Sequence, residues 1–168
     1  MASKKYLCLF CDLDGTLIQT ISKKDMPIGI YDMRFRFDTL NAIKQLSPTH
    51  LYIVSNQGGI EIGKVKQDHF NAKIKYVECA IQEYCDIKND NIGYIYCSTN
   101  DSENKYRKPN PQMILDIIDK CHIDKDTCLM IGDSSGYQGQ FSDSDKKAAE
   151  NCQIDYLDVS DFINNFSK

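Results

Sequence analysis

No stretch of this sequence is apolar for long. The longest early run, residues 6–11, stops at Asp12, against the roughly 20 apolar residues that a membrane helix needs. It is also too short for the core of a secretory signal. Proline (4) and glycine (9) are sparse, and no repeat or low-complexity stretch occurs, which excludes collagen-like and disordered classes. An excess of positive charge is missing as well: 20 basic against 24 acidic side chains leave a net charge of −4. A sequence-independent coat for nucleic acid needs a basic field, so that class is excluded. Histidine is scarce, and His50, His69 and His122 form no H-x-H or H-x-x-x-H pair.

Cysteine is the exception, with eight, yet the spacing of a metal or disulfide framework is lacking. Cys8 and Cys11 have C-x-x-C spacing but fall in a strand, where residues three apart point to opposite faces. Cys79, Cys85, Cys97, Cys121, Cys128 and Cys152 have no such partner. Reduced, mostly buried thiols are the expectation. They imply an intracellular protein, nuclear or cytoplasmic, with no membrane partner.

The composition itself, 42% apolar and 26% charged over 168 residues, is that of an ordinary globular chain with enough length for a core. We expect a single domain over 1–168. Apolar strand candidates at 6–11, 51–54, 92–97, 128–131 and, more weakly, 154–157 alternate with helix-period stripes. These stripes are Leu40, Ile43 and Leu46; Phe70, Ile74, Val77 and Ile81; and Met113, Ile114, Ile117, Ile118 and Cys121. Asn110 is the expected N-cap of the last of these helices, with Pro111 at its first position. Strands alternating with helices predict an α/β fold with a doubly wound parallel sheet.

In such sheets ligands bind beyond the carboxyl ends of the strands. The residues there are Asp12-Leu13-Asp14-Gly15-Thr16 after the first strand, Ser55-Asn56-Gln57-Gly58 after the second and Gly132-Asp133 after the fourth, with Lys108 before the third helix. An aspartate is ionised near neutral pH and can attack phosphorus without a base, provided a cation screens it from the phosphate. Magnesium binds through one or two carboxylates plus water and phosphate oxygens, and Asp12 and Asp133 can supply those two. Asp14 is then free to protonate the leaving oxygen and later activate water. Ser55 can hold phosphate oxygens and Lys108 can offset charge. Each segment alone reads as an ordinary polar turn; their joint occurrence at three strand ends points to a site.

The segments D-L-D-G-T-L (12–17), V-S-N-Q-G-G-I (54–60), Y-R-K-P-N-P (106–111) and M-I-G-D (130–133) resemble the four motifs of the haloacid dehalogenase phosphohydrolase superfamily. N-Q-G-G-I-E-I-G-K and I-G-D-S-S-G-Y with F-S-D-S-D-K-K-A-A resemble, more narrowly, the 3′-phosphatase domain of polynucleotide kinase 3′-phosphatases. The resemblance implies a Rossmann-like core, with Asp12 forming an aspartyl-phosphate and Asp14 as general acid/base. It also implies Ser55 at the phosphate-binding hydroxyl position, Lys108 as the stabilising lysine and Asp133 as a magnesium ligand. The expected Mg2+ set is Asp12, Asp14 and Asp133, and the expected substrate contacts are Gly15, Thr16, Asn56 and Arg107. Asp143 and Asp145 fall in the last acidic segment, and the sequence leaves open which of them supports the metal.

The resemblance further implies 3′-phosphorylated DNA or RNA ends as partners, with any kinase or ligase on a separate chain. Two other readings are a small-molecule phosphatase of the histidinol-phosphate or heptose-bisphosphate type and a non-catalytic binding module. The small-molecule relatives carry a Cys/His zinc loop before the lysine motif, whereas residues 97–108 here hold one Cys and no His. Only 55 − 14 = 41 positions separate Asp14 from Ser55, and 108 − 55 = 53 separate Ser55 from Lys108. That leaves room for a small flap at 18–35 and no large cap domain. The expected nucleic-acid rim is Lys23, Lys24, Arg34, Arg36, Lys64, Lys66, Lys105 and Arg107, with Tyr31, Phe35 and Tyr106 as stacking surfaces. Residues 141–168, with three basic and six acidic side chains, are expected to face away from substrate. The near match of Gly58–Lys64 to a phosphate-cradling kinase loop ends in Val65, which has no hydroxyl for magnesium, so no 5′-kinase site is expected.

Overall fold

Cys8, Leu9, Phe10 and Cys11 are all fully buried, which a strand achieves only when both of its faces are covered. In the computed structural model, which describes residues 4–22, 27 and 29–166, these four residues form β1 (Cys8–Cys11) at the centre of a five-stranded parallel sheet. The order is β5-β4-β1-β6-β7, with β4 at His50–Asn56, β5 at Ile92–Cys97, β6 at Cys128–Gly132 and β7 at Asp155–Asp158. β1 pairs with β4 on one side and β6 on the other, Cys8 lying opposite both His50 and Cys128.

The period of two sorts the apolar residues. Leu9, Cys11, Leu51, Ile53, Leu129 and Ile131 face α1 (Phe37–Leu46), α2 (Gln67–Cys85) and α5 (Val159–Phe166). Cys8, Phe10, Tyr52, Val54, Cys128 and Met130 face α3 (Gln112–Cys121) and α4 (Ser144–Cys152). The sheet is therefore doubly wound, and Cys8 and Cys11 lie in different cores and cannot share a metal. Sequentially, the chain leaves β1, builds β4 and β5 on one side, then crosses to β6 and β7 on the other. The carboxyl ends of β4, β1 and β6 therefore border the crevice at which such sheets bind ligands.

Between β1 and α1, β2 (Ile18–Thr20) and β3 (Met33–Phe35) pair antiparallel, Ile18 opposite Phe35. This ribbon, with a short 3-10 turn at Ile30–Asp32, is the small flap, and Asp32 secures it by accepting from the amide and hydroxyl of Ser22, both at 2.9 Å. Lys23 and Lys24 lie outside the described residues.

The expected cap of α3 is displaced. The helix begins at Gln112, Pro111 stands at the cap position and no side chain caps it. Asn110 instead donates to the carbonyls of Ser102 and Asn104, each at 2.9 Å, spending its amide on the loop before the helix.

All eight cysteines are free thiols, with Cys79 exposed, Cys121 half-buried and the others buried. Because reactivity follows access and thiolate character, a disulfide exchange reagent is expected to titrate Cys79 fast and Cys121 slowly. The remaining thiols should react only in denaturant. More than two accessible thiols in the native protein would contradict this packing.

Candidate active site

β1 ends at Cys11, and the next residue, Asp12, donates its backbone N–H to the carbonyl of Ile131 at 3.0 Å. That bond holds Asp12 at the seam between β1 and β6. The chain then turns tightly, with Gly15 N–H on Ile18 at 2.7 Å and Leu17 N–H on Leu13 at 2.9 Å. Gly15 has φ +84, and a Cβ built on it would stand 1.9 Å from a carboxylate oxygen of Asp133. Both the left-handed backbone and the close approach demand glycine. Gly132 is constrained likewise, since its Cβ would meet Asp145 at 2.2 Å.

Asp12, Asp133 and Asp145 bring carboxylate oxygens within 4.8 Å of one another. One ammonium contacts two of them. The Lys108 ammonium contacts Asp12 Oδ1 at 2.6 Å, Asp145 Oδ1 at 2.8 Å and the carbonyl of Val54 at 2.7 Å. Three acceptors satisfy its three hydrogens, and these partners raise the lysine well above its usual range despite burial, so it remains charged. Lys108 rides on the loop between β5 and α3 and is aligned by Asn56, whose side-chain amide exchanges two 2.9 Å hydrogen bonds with the Lys108 backbone.

Three carboxylates against one ammonium leave an excess of negative charge in a buried place. Each like pair at that separation costs roughly 3–4 kcal/mol at an effective dielectric of 20. The effect is visible in protonation. Burial, with Asp145 beside it, pushes Asp133 up to about 6. Burial, more than Lys108 can offset, lifts Asp12 well above the ordinary carboxylate range. A hard divalent cation fits this set, which is all oxygen and short of positive charge. Among the described residues no other group of three or more His, Cys, Asp or Glu side chains is so arranged.

The sequence-predicted residues fall into distinct places. Asp12, Lys108 and Asp133 meet, and Asp145 joins them from the first turn of α4, its carboxylate also accepting from Ser134 N–H at 3.2 Å. This corrects the expectation that residues 141–168 face away. Asp143 lies outside the cluster, paired to Lys147 at 2.7 Å. The Asp14 carboxylate is not in the cluster. It accepts from Gln57 Nε2 at 2.7 Å and sits 3.5 Å from the Lys73 ammonium. Ser55 is buried and its hydroxyl also accepts from Gln57, at 2.9 Å.

The expected substrate contacts divide. Thr16 is fully buried with its hydroxyl unpartnered among the described residues. Gly15 has both backbone groups engaged, its carbonyl by Arg36 at 2.6 Å; Asn56 is spent on Lys108; Arg107 donates to the carbonyl of Thr99 at 2.8 Å. These three shape the site rather than offer free donors at these atoms.

The expected rim also thins. Arg36 is held by Gly15 and Asp38, Phe35 packs with Phe37 and Tyr76, and Tyr106 donates to Asp116 at 2.9 Å. Arg34, Lys64, Lys66 and Lys105 are exposed, and Tyr31 is 70% exposed on the flap. Tyr31 borders a groove of about 200 Å³ with Gly29, Ile30, His69 and Ala72, and none of the site carboxylates lines it.

The glycine-rich turn after β4 is no phosphate cradle. Asn100 fills the space beside Gly58 and donates to its carbonyl at 2.9 Å, while Glu61 accepts from Asn100 N–H and Thr99 Oγ1 at 2.6 and 2.9 Å.

Two residues escaped the sequence reading. Gln57 was visible only as part of a polar turn. Lys73 carried a signal, since it lies three residues from Phe70 and four from Val77, on the apolar stripe of α2, where a lysine is out of place.

Compared with known proteins, residues 7–162 match the family model described as polynucleotide kinase 3 phosphatase. The chain belongs to that family. This polynucleotide kinase 3 phosphatase family member is thus a phosphatase. It is 27% identical over 161 residues to an uncharacterized 20.8 kDa protein from the FGF-VUBI intergenic region of Autographa californica nuclear polyhedrosis virus, covering 90% of this chain and 82% of that one. It is 29% identical over 140 residues to D-glycero-beta-D-manno-heptose-1,7-bisphosphate 7-phosphatase of Pasteurella multocida (strain Pm70), covering 74% and 70%. In fold it is similar to the D,D-heptose 1.7-bisphosphate phosphatase of B. bronchiseptica, crystallised with magnesium and phosphate. The TM-score is 0.68 at 20% identity, covering 90% of this chain and 78% of that one.

The raised carboxylates set a pH test for the family member. Folded values above the unfolded value of about 3.9 mean that the native state holds more protons than the unfolded chain between about pH 4 and 6. Without metal, stability therefore falls as pH rises through that window, by about 2–3 kcal/mol from Asp133 alone. Excess MgCl2 is expected to restore it, most at and above pH 7, where protons no longer compete. Thermal melts in EDTA and in magnesium at pH 5 and 7.5 check this; equal magnesium shifts at both would refute it.

Proposed function

We propose that this protein is a magnesium-dependent polynucleotide 3′-phosphatase that removes the 3′-phosphate from DNA or RNA ends and leaves a 3′-hydroxyl. The observation that carries the substrate is the family match across residues 7–162. Two features support it. Among the described residues, the segment between β1 and α1 forms a short two-stranded ribbon, which leaves space for the end of a polymer at the sheet edge. The loop before Lys108 is braced by hydrogen bonds among Thr99, Asn104, Tyr106, Arg107 and Asn110 and from Asn100 to Gly58, with one thiol, Cys97, and no imidazole.

The chemistry follows from the side chains. Lys108 holds Asp12 Oδ1 and leaves the other oxygen to attack phosphorus in line. As that P–O bond forms and the bond to the 3′ oxygen breaks, Asp14 gives its proton to the leaving oxygen. Asp14 then takes a proton from a water, which attacks the aspartyl-phosphate, releases inorganic phosphate and regenerates Asp12. Asp12 and Asp133, with Asp145 beside them, would hold a divalent cation, whose chemistry would be to neutralise the negative charge of the site. Ser55, Thr16 and the lysine border the oxygens of the transferring group.

A second reading is a small phosphorylated sugar as substrate. Identity of 29% to the Pasteurella heptose-bisphosphate phosphatase favours it, and the loop before Lys108 argues against it.

With magnesium, a 3′-phosphorylated oligonucleotide is expected to release phosphate faster than heptose bisphosphate does; the reverse ranking would overturn the substrate. Asp12→Asn keeps the shape and loses the nucleophile, and a loss of at least about 10³-fold in kcat is expected. Lys108→Met strands two buried carboxylates, and should lower stability in EDTA by about 3–5 kcal/mol as well as suppress turnover. Chemical denaturation separates the two effects.

A further inference from the structure

Lysine is almost never fully buried without a charge partner, and Lys73 is 1% exposed in the middle of α2. It takes no part in the Lys108 cluster. Among the described residues its ammonium reaches Asp14 Oδ1 at 3.5 Å and the carbonyl of Pro27 at 3.4 Å, and it lies 5.3 Å from the centre of the Phe70 ring. We infer that Lys73 is a positioning residue: it aims the proton-transferring carboxylate of Asp14 and ties that carboxylate to the flap through Pro27. The inference rests on the phosphatase reading of the site.

The two oxygens of Asp14 are treated differently. Oδ2 is fixed by Gln57 at 2.7 Å, whereas Oδ1 is buried with no hydrogen bond, and the lysine is its charge partner. An ammonium at ion-pair distance anchors this buried oxygen electrostatically. Gln57 and Lys73 come from separate elements, the end of β4 and the middle of α2, so together they fix the rotation of the carboxylate. Lys73 extends from a helix face packed by Phe70, Ile74 and Val77, and that packing gives it a rigid base. Pro27 lies in the connection between β2 and β3, so the same ammonium sets the flap relative to the acid.

The test uses Lys73→Met, which keeps length and apolar packing and removes the charge. It is assayed with magnesium on an aryl phosphate and on a 3′-phosphorylated oligonucleotide. A positioning role predicts kcat lower by about 10- to 100-fold on both substrates, the scale of a misplaced proton donor. KM should stay within about 3-fold, with partial recovery in Lys73→Arg, while the melting temperature should fall because the buried Asp14 Oδ1 loses its charge partner. In an Asp14→Asn background, Lys73→Met should have no further effect, because the two residues act as one unit. Unchanged kcat, a rise in KM alone, or full additivity with Asp14→Asn would each overturn the inference. If Lys73→Met does not fold, Lys73→Gln carries the same cycle. A wild type inert on both substrates refutes the phosphatase reading and this inference with it, whereas activity on the aryl phosphate alone refutes only the polynucleotide substrate.

Discussion

The Lys108 ammonium is the point on which the site closes. Its three hydrogens go to a carboxylate after β1, a carboxylate from α4 and the carbonyl of Val54 near the end of β4. Three elements distant in sequence are thus fixed to one atom. The lysine sits beneath the floor of the crevice, buried on a loop whose backbone Asn56 grips at both its N–H and C=O. Burying an ion pair contributes little net stability in general. Here its work is geometric, since it leaves Asp12 with one committed oxygen and one available. The Asp133 and Asp145 carboxylates could not crowd around it if Gly15 and Gly132 carried side chains.

Much of this was legible in the sequence because strand ends are marked by abrupt changes in residue type. An apolar run that stops on Asp12, or on Gly132-Asp133, announces both the buried strand and the polar edge, and the period of two assigns Cys8 and Cys11 to opposite cores. The helical stripes of Phe70, Ile74, Val77 and Ile81 and of Met113, Ile117 and Ile118 marked α2 and α3 for the same reason. Boundaries were less legible. Asn110 has the chemistry of a cap, but its side chain is held by the carbonyls of Ser102 and Asn104 in the loop before α3.

Contacts between side chains distant in sequence were the part that could not be read. Asp143 and Asp145 are equivalent in the sequence; the difference arises because one turn of α4 points Asp145 inward toward Gly132, while Asp143 remains outside with Lys147. The charge count of 141–168 misled, because an average over a segment is blind to one carboxylate that turns in. Asn56 and Arg107 looked like substrate donors, yet the Asn56 amide and one guanidinium nitrogen of Arg107 donate to backbone carbonyls. The rim of positive charge shrank likewise once Arg36 was engaged by Gly15 and Asp38.

The loop before Lys108 has a consequence of its own. Its shape is kept by Glu61, Asn100, Asn104 and Asn110 acting on backbone groups. Since none of these residues belongs to the acidic cluster, a cation entering or leaving that cluster would leave the lysine's scaffold standing.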